Sequence, residues 1–236
     1  MEDKYSLDVI GVIHSCYRGK FGIPRQPGLV TIQTATLELL PPYNRPEAVK
    51  GLEGFSHIWV SFIFHGVLAG KWSPTVRPPR LGGNERVGVF ASRSTHRPNP
   101  LGLSVVELSE VECSENGVRL HLIGADLLDG TPVVDIKPYI PYVDSITDAR
   151  SGFATDAPER KLEVVFTDGA EQQLAQRVVE HPELRQLISE SLAVDPRPAY
   201  KAKSSGSGGM HFFNFDVRFE VTGEQLLVTE IVPGMV

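Results

Sequence analysis

The stretch SVVELSEVECSENGVRLHLIGADLLDGTPVVDIK, residues 104–137, decides the fold class. It predicts three short strands, at 104–113, 118–124 and 132–137, joined by turn residues such as Asp129–Gly130. Parallel neighbours would need a crossover connection of about a dozen residues, usually a helix. Because no long amphipathic helix interrupts this half of the chain, the stretch predicts a β-barrel or a β-sandwich.

The sequence on the N-terminal side continues the same pattern of short strands separated by loops. Alternating or β-branched segments predict four more strands, at 6–14, 29–40, 57–66 and 87–92. The continuous apolar run HIWVSFIFHG at 57–66 predicts a strand that is buried on both faces. Loops rich in Gly, Pro and Arg separate these strands, and we expect residues 1–145 to form one compact β-barrel domain.

After Tyr142 the pattern changes, and residues 146–236 predict a small α+β domain. Asp168 with Glu171 resembles a capping box that opens a helix, and a second helix with apolar residues at helical spacing follows Pro182. The remaining predicted elements are a linker at 144–159, a strand at 161–167, a flexible loop at 204–209, and a closing hairpin of 211–221 with 226–232. The predicted fold class is therefore mainly β, a barrel with a small α+β domain.

Composition and charge limit the function. The chain has 236 residues, 41% hydrophobic and 22% charged, with a net charge of −6. This composition is typical of a globular protein, and a nucleic-acid partner would need a local basic patch. The segment from Arg77 to Arg97 offers one, with five arginines and one acid.

Two further features concern the compartment. The cysteines, Cys16 and Cys113, form no metal-ligand pair and suit a reducing cytosol, where we expect each to be a small buried hydrophobe. The N-terminus shows no signal-peptide pattern, and the most apolar run, residues 58–64, is much shorter than the roughly 20 residues of a membrane span. We therefore expect a cytoplasmic protein with no membrane partner.

Several proline-stiffened polar loops are candidates for a site. They are PRQPG (24–28), RSTHRPNPLGLS (93–104), DLLDGTPVVDIKPYIPY (126–142) and DPRPAYK (195–201), with Phe64–His65 at the end of a predicted strand. The three aspartates of the third loop could bind a metal, bind the hydroxyls or cationic end of a small cofactor, or cap turns. Rossmann, P-loop, zinc and nucleophile-elbow patterns are absent. Residue patterns alone thus predict a β-rich domain in which three polar, proline-stiffened loops converge on a site.

Six motifs in order resemble the TsaA-like family, and within it the bacterial TrmO enzymes. They are PRQPGLV (24–30), GLEGFSHIWV (51–60), TVRPPRLGG (75–83), VFASRSTHRPNPLGLSVVEL (89–108), DLLDGTPVVDIKPY (126–139) and DPRPAY (195–200). The resemblance runs nearly from end to end of the chain. It implies a compact β-barrel that binds S-adenosylmethionine and forms a homodimer, with the cofactor near the subunit interface.

The resemblance also implies a reaction and a site. The reaction is methylation of N6-threonylcarbamoyladenosine, just 3′ of the anticodon of threonine tRNA. The cofactor-binding candidates carried over by motif are Arg25, Gln26, Pro27, Phe64, His65, Arg93, Leu103, Asp126, Leu127, Leu128 and Asp129. No metal is expected to take part.

The roles of the polar residues follow from the chemistry of that reaction. A poorly basic urea-like nitrogen benefits from a general base, for which Asp126, Asp135 and His65 are candidates. Candidates for contacts to tRNA phosphates or to the threonyl carboxylate are Arg77, Arg80, Arg86, Arg97, Lys137, Arg197 and Tyr200. Two alternatives stay open: a β-barrel that binds S-adenosylmethionine or RNA without turnover, and a methyltransferase with a small-molecule acceptor.

Overall fold

The N-terminal part of the chain folds into a closed barrel of six strands. The computed structural model describes residues 5–19, 22–67, 72–156, 162–197 and 205–234. Around the barrel the strands run in the order β1-β2-β7-β6-β3-β8, and every neighbouring pair is antiparallel. The predicted β-barrel and the mainly β class are confirmed.

The strands and helices have these bounds. The barrel strands are β1 Gly11–Ser15, β2 Thr34–Leu39, β3 His57–Ile63, β6 Leu101–Ser114, β7 Gly117–Ile123 and β8 Pro132–Pro138, and a small ribbon pairs β4 Thr75–Val76 with β5 Val87–Gly88. The C-terminal strands are β9 Glu163–Phe166, β10 Gly206–Phe212, β11 Phe215–Thr222 and β12 Gln225–Pro233. The helices are α1 Pro46–Val49, α2 Pro141–Asp144, α3 Asp168–Ala175 and α4 Leu184–Ala193, with 3₁₀ turns at Leu52–Gly54, Pro79–Leu81 and Val89–Ala91.

Burial alternates along the barrel strands. In β3, Ile58 and Val60 are fully buried while Trp59 and Ile63 are only partly covered. The prediction that 57–66 is buried on both faces is therefore wrong, and the strand also ends earlier, at Ile63. A closed barrel encloses only the inward face of each strand, so the apolar side chains on the other face remain available to line a site.

The C-terminal unit is a four-stranded sheet with two helices. Its strands run in the order β10-β11-β12-β9, with β9 parallel to β12 and the other pairs antiparallel. Its core, built around residues such as Ile188, Phe219 and Ile231, also takes in Cys16, Tyr17 and Val30 from the N-terminal part of the chain. The two hydrophobic cores thus do not divide the chain at one point, and the predicted boundary at 145/146 stays a prediction.

Three further predicted strands of the barrel half are shorter in the structure. The segment 6–14 is a strand only from Gly11 onward and ends at Ser15. The segment 29–40 is a strand only from Thr34 to Leu39, because Val30 turns away into the C-terminal core. The segment 87–92 is a strand only at Val87–Gly88 and then forms a 3₁₀ turn. Arg97 donates to the carbonyls of Val89 and Ser92 and stabilises that turn.

Three C-terminal predictions need correction. From Gly206 onward, the predicted loop 204–209 belongs to β10, where the ring of Phe219 packs over Gly208, and residue 204 lies outside the described residues. The predicted strand 211–221 is interrupted after Phe212 by a turn in which Phe213 has a φ of 51°. The helix cap is Thr167, whose hydroxyl accepts from the Ala170 N–H at 3.2 Å, one residue before the predicted Asp168.

The two cysteines differ in environment. Cys16 is buried in the C-terminal core, as predicted, whereas Cys113 near the end of β6 is exposed, contrary to the prediction. β6 runs on past its last buried residue, Leu108, and this is why Cys113 has no core around it. No helix among the described residues has the length and hydropathy needed to cross a membrane.

Candidate functional site

One cleft of about 1080 Å³ collects residues from five separate parts of the chain. It is lined by the loop 23–27, the end of β3 with the following turn 64–67, the loop 92–97, the first residues of β6, and the segment 126–128. Of the eleven candidate cofactor residues, only Asp129 does not line it. The predicted convergence of distant loops is therefore present in the structure.

The PRQPG loop is fixed on the barrel side by its glycine. Gly28 adopts a φ of 75°, in the left-handed region that favours glycine, and its N–H donates to the Gly124 carbonyl at 2.9 Å. Arg93, from the loop 92–97, donates to the side-chain oxygen of Gln26. Two of the predicted loops therefore touch each other directly at the cleft.

The apolar wall of the cleft comes from β3 and β6. The rings of Phe62 and Phe64 meet edge to face at 5.1 Å between centroids. Gly102, opposite Phe62 in the β3–β6 ladder, leaves room for that ring. Leu103 on the lip is 55% exposed, and His65, which also lines the cleft, is exposed as well. This wall can cover an apolar or aromatic group of a ligand.

Asp126 is the acidic group of the cleft. Its Oδ1 accepts from the Ser104 hydroxyl at 2.8 Å. Burial raises the pKa of Asp126 above its ordinary value, while the Ser104 hydrogen bond and the charge of Arg93 act in the opposite direction. A carboxylate in this setting favours a cationic ligand, and it is a stronger base than an exposed aspartate.

The other two aspartates of the third loop lie outside the cleft lining. Asp129 accepts from the Ser15 backbone N–H at 2.9 Å and from Arg18, so it joins the segment 126–131 to the end of β1. Asp135 pairs with Lys137 on β8. Within the described ranges, no group of three or more His, Cys, Asp or Glu side chains is arranged to hold a metal ion.

The predicted cationic contacts are divided between the cleft and its surroundings. Arg97 lines the cleft, as does the cofactor candidate Arg93. The Arg97 guanidinium lies 5.8 Å from the centroid of the exposed Phe90 ring. Arg77, Arg80, Arg86 and Lys137 are exposed outside the lining, where Arg80 donates to the Asp156 carbonyl and Arg86 to the Thr75 hydroxyl.

The C-terminal candidates, from the DPRPAY motif, differ from the exposed arginines. The Arg197 guanidinium is held by Asp195, with hydrogen bonds of 2.8 and 2.9 Å, and the pair is largely buried. Arg197 is therefore part of a structural ion pair. Tyr200 lies outside the described residues.

Sequence reasoning missed several residues of the cleft. Trp59, Phe62, Ser104 and Thr131 also line it, although none carried a predicted role. The strand register explains why two of them reach the cleft, because their partners on β6 also line it: Trp59 lies opposite Val105, and Phe62 lies opposite Gly102. The alternation of β6 could have indicated Ser104, since it is a polar residue at an inward position between Gly102 and Val106.

Comparison with known proteins gives matches along nearly the whole chain. A family model described as the tRNA-methyltransferase O N-terminal domain matches residues 12–145, and one described as the TrmO C-terminal domain matches residues 159–234. A crystal structure of TrmO from Pseudomonas aeruginosa superposes with a TM-score of 0.81 at 38% identity, covering 99% of both chains.

Curated relatives agree with the family match. An Escherichia coli (strain K12) protein named tRNA (adenine(37)-N6)-methyltransferase is 50% identical over 97% of this chain and 98% of its own length. A Pseudomonas aeruginosa protein, RcsF, whose name describes an S-adenosylmethionine-dependent methyltransferase, is 47% identical over 98% of each. These similarities extend over both the barrel and the C-terminal unit.

Proposed function

Since the chain belongs to the tRNA-methyltransferase O family and is an S-adenosylmethionine-dependent methyltransferase, we propose that its acceptor is the N6 of N6-threonylcarbamoyladenosine at position 37 of threonine tRNA. The product is the N6-methylated nucleoside, m6t6A. One observation carries the proposal: the cleft brings ten of the eleven cofactor candidates, Arg93 among them, together with a further arginine that can bind an anionic group, Arg97.

The cleft fits S-adenosylmethionine in size and chemistry. Its volume of about 1080 Å³ is at the upper end for small-ligand sites, which leaves room for part of an acceptor beside the methyl donor. Phe64, Leu103 and Leu127 offer apolar cover for the adenine ring. The Asp126 carboxylate favours the positively charged sulfur, and Arg25 can hold the carboxylate of the methionine part.

We assign the chemical roles as follows. When bound, the sulfonium supplies an electrophilic methyl group. Asp126 receives the proton that N6 loses on methylation, because it lines the cleft and burial raises its pKa toward that of a useful base. His65 is exposed on the rim of the cleft, and we assign it to contacts with the acceptor nucleoside. Asp135 is paired with Lys137 outside the cleft lining, so we assign it only a secondary role in the proton transfer.

Recognition of the tRNA follows the distribution of charge. Five arginines and one acid occur from Arg77 to Arg97 in a chain whose net charge is −6. Arg77, Arg80 and Arg86 are exposed and suit phosphate contacts, which position the RNA. Arg97 lies in the cleft and suits the threonyl carboxylate of the modified base.

The homodimer and the compartment belong to the same proposal. Leu101 and Leu103 on the cleft lip are 41% and 55% exposed, and this apolar lip suits burial against a second copy of the chain. Substitution of Leu103 by Glu is expected to convert the dimer to a monomer in light scattering; a wild-type monomer would contradict the dimer. Threonine tRNA as substrate is consistent with a cytoplasmic enzyme.

The decisive experiment measures transfer of labelled methyl groups to threonine tRNA with and without the threonylcarbamoyl group. Label is expected only in the modified tRNA. Equal labelling of both tRNAs, or labelling of neither, contradicts the proposed acceptor. The variants Asp126→Ala and Asp135→Ala then locate the base, with a loss of about 100-fold or more in kcat expected for Asp126→Ala only. A larger loss for Asp135→Ala would transfer the role to Asp135.

A further inference from the structure

The cofactor loop, defined here as residues 22–33, lies between the barrel and the C-terminal unit. On the barrel side, the Gly28 N–H donates to the Gly124 carbonyl at 2.9 Å. On the other side, Val30 is 1% exposed within the C-terminal core, and Ile23 and Ile32 pack against the same core. The shape of the loop therefore depends on both halves of the chain, although only its residues 23–27 line the cleft.

Glu190 on α4 makes one of the polar contacts between the C-terminal unit and this loop. Its side chain is buried, and its Oε2 accepts from the Thr31 N–H at 2.8 Å and from the Thr31 hydroxyl at 3.2 Å. Its Oε1 accepts from the amide of Gln186, one helical turn earlier, at 2.9 Å. A buried carboxylate is costly unless it is well hydrogen-bonded, and here the donors include the backbone of the loop itself.

A second contact holds the other end of the loop. Arg25 donates to the backbone carbonyl of Arg197 at 3.2 Å. That carbonyl is fixed in place because the Arg197 side chain forms a two-point ion pair with Asp195. The Thr31 and Arg25 contacts lie on either side of Gln26 and Pro27, so the C-terminal unit holds the loop on both sides of these two cleft-lining residues.

We propose that Glu190 is a positioning residue for the methyl donor: it fixes the cofactor loop through Thr31, and the C-terminal unit thereby forms part of the cofactor site. A loop held in its binding shape loses less conformational entropy when the ligand binds. This inference rests on the proposed role of Arg25, Gln26 and Pro27 in cofactor binding. It concerns affinity for S-adenosylmethionine, and it leaves the chemical step and tRNA recognition unchanged.

The test compares full-length variants in titration calorimetry with S-adenosylmethionine and in steady-state kinetics. Glu190→Ala is expected to raise the Kd by about 5- to 30-fold, as for loss of a hydrogen bond to a charged group. Its kcat at saturating cofactor and its KM for tRNA are expected to stay at wild-type values. Glu190→Gln, which keeps one acceptor oxygen for the Thr31 N–H, is expected to recover most of the affinity.

A destabilised control separates positioning from general loss of structure. Phe219→Leu weakens the C-terminal core at β11, where the Phe219 ring packs over Gly208. If Phe219→Leu lowers the Tm as much as Glu190→Ala but keeps the wild-type Kd, the proposal holds. An unchanged Kd in Glu190→Ala, or an equal rise in both variants, overturns it.

Two further measurements keep the inference testable. Should Glu190→Ala not fold, the double variant Thr31→Val/Glu190→Gln loses both the hydroxyl contact and the charge of the acceptor. Its Kd is expected to rise above that of Glu190→Gln alone, and a wild-type Kd in the double variant overturns the proposal. Hydrogen exchange of the amides in residues 22–33 is measured without cofactor, and exchange is expected to be faster in Glu190→Ala than in wild type. A wild-type protein that binds no S-adenosylmethionine would contradict the proposed site, whereas unchanged exchange would contradict the role of Glu190.

Discussion

Replacing Gly102 by alanine tests how the barrel shapes the cofactor wall. A Cβ atom at this position would lie 2.2 Å from Cζ and 2.4 Å from Cε2 of Phe62. An unstrained contact between carbon atoms needs about 3.5 Å or more, so the Phe62 ring must move by roughly 1 Å. Phe62 is 5% exposed and packs edge to face on Phe64, so its displacement carries into the cleft.

Overpacking of this kind costs about 1–3 kcal/mol. For a chain of this length, each kcal/mol lowers the Tm by about 2–4 °C, so Gly102→Ala is expected to melt about 2–12 °C below wild type in differential scanning calorimetry. Its affinity for S-adenosylmethionine is also expected to fall, because Phe62 and Phe64 both line the cleft.

Matched variants isolate the cause. Gly88→Ala is the control, because no heavy atom lies within 4 Å of its added Cβ and its backbone has an ordinary φ of −58°. In a Phe62→Leu background the ring that clashes is gone, so adding Gly102→Ala should lower the Tm much less than it does in wild type. If Gly102→Ala melts with wild type, or if Phe62→Leu does not reduce its effect, the steric reasoning is refuted.

Three other predictions follow from burial and capping. Burial raises the pKa of Asp126, so its ionisation reduces stability as the pH rises through the folded pKa. The cofactor-free Asp126→Asn variant should therefore melt above wild type at neutral pH, the difference in Tm should shrink toward pH 4, and the affinity for S-adenosylmethionine should be weaker. Equal melting curves across this pH range would contradict the direction of the pKa shift. Burial raises the pKa of Cys16 to about 12. Iodoacetamide at pH 8 should therefore label only the exposed Cys113 in the folded protein and both thiols after denaturation. Rapid labelling of Cys16 in the folded protein would contradict this expectation. Thr167→Ala removes the cap of α3 and should cost about 0.5–2 kcal/mol in urea unfolding, whereas Asp168→Ala, which removes no cap, should cost less.

The candidate cofactor residues could be found from the sequence because they lie in short, unusual motifs. PRQPG and RSTHRPNP combine prolines with polar side chains, and the family resemblance gives them a function before any coordinates are considered. The cleft contains all of these residues except Asp129. The prediction for Asp129 differs from that outcome, because an aspartate that caps a turn and an aspartate that faces a ligand have the same local sequence pattern. In the structure, Asp129 accepts hydrogen bonds from the Ser15 N–H and from Arg18.

Residues that act through tertiary contacts could not be found in this way. Glu190 lies within a helical repeat of apolar residues, and nothing in that repeat indicates that its carboxylate meets Thr31, which is 159 positions away. Similarly, the apolar run HIWVSFIF suggested a strand covered on both faces. Barrel closure decides which side of the strand faces the core, and residues of both sides, such as Trp59 and Phe62, line the cleft.

The sequence by itself determined the strand-rich class, the change from a β pattern to an α+β pattern after Tyr142, and the family. Alternation, turn residues and ordered motifs are local properties of the chain. The tertiary structure alone decided which carboxylate lines the cleft, which arginines are held by backbone or acidic partners, and how the C-terminal unit reaches the cofactor loop. Those outcomes depend on distances between residues far apart in sequence, and such distances are set by the closure of the barrel and the packing of the two cores.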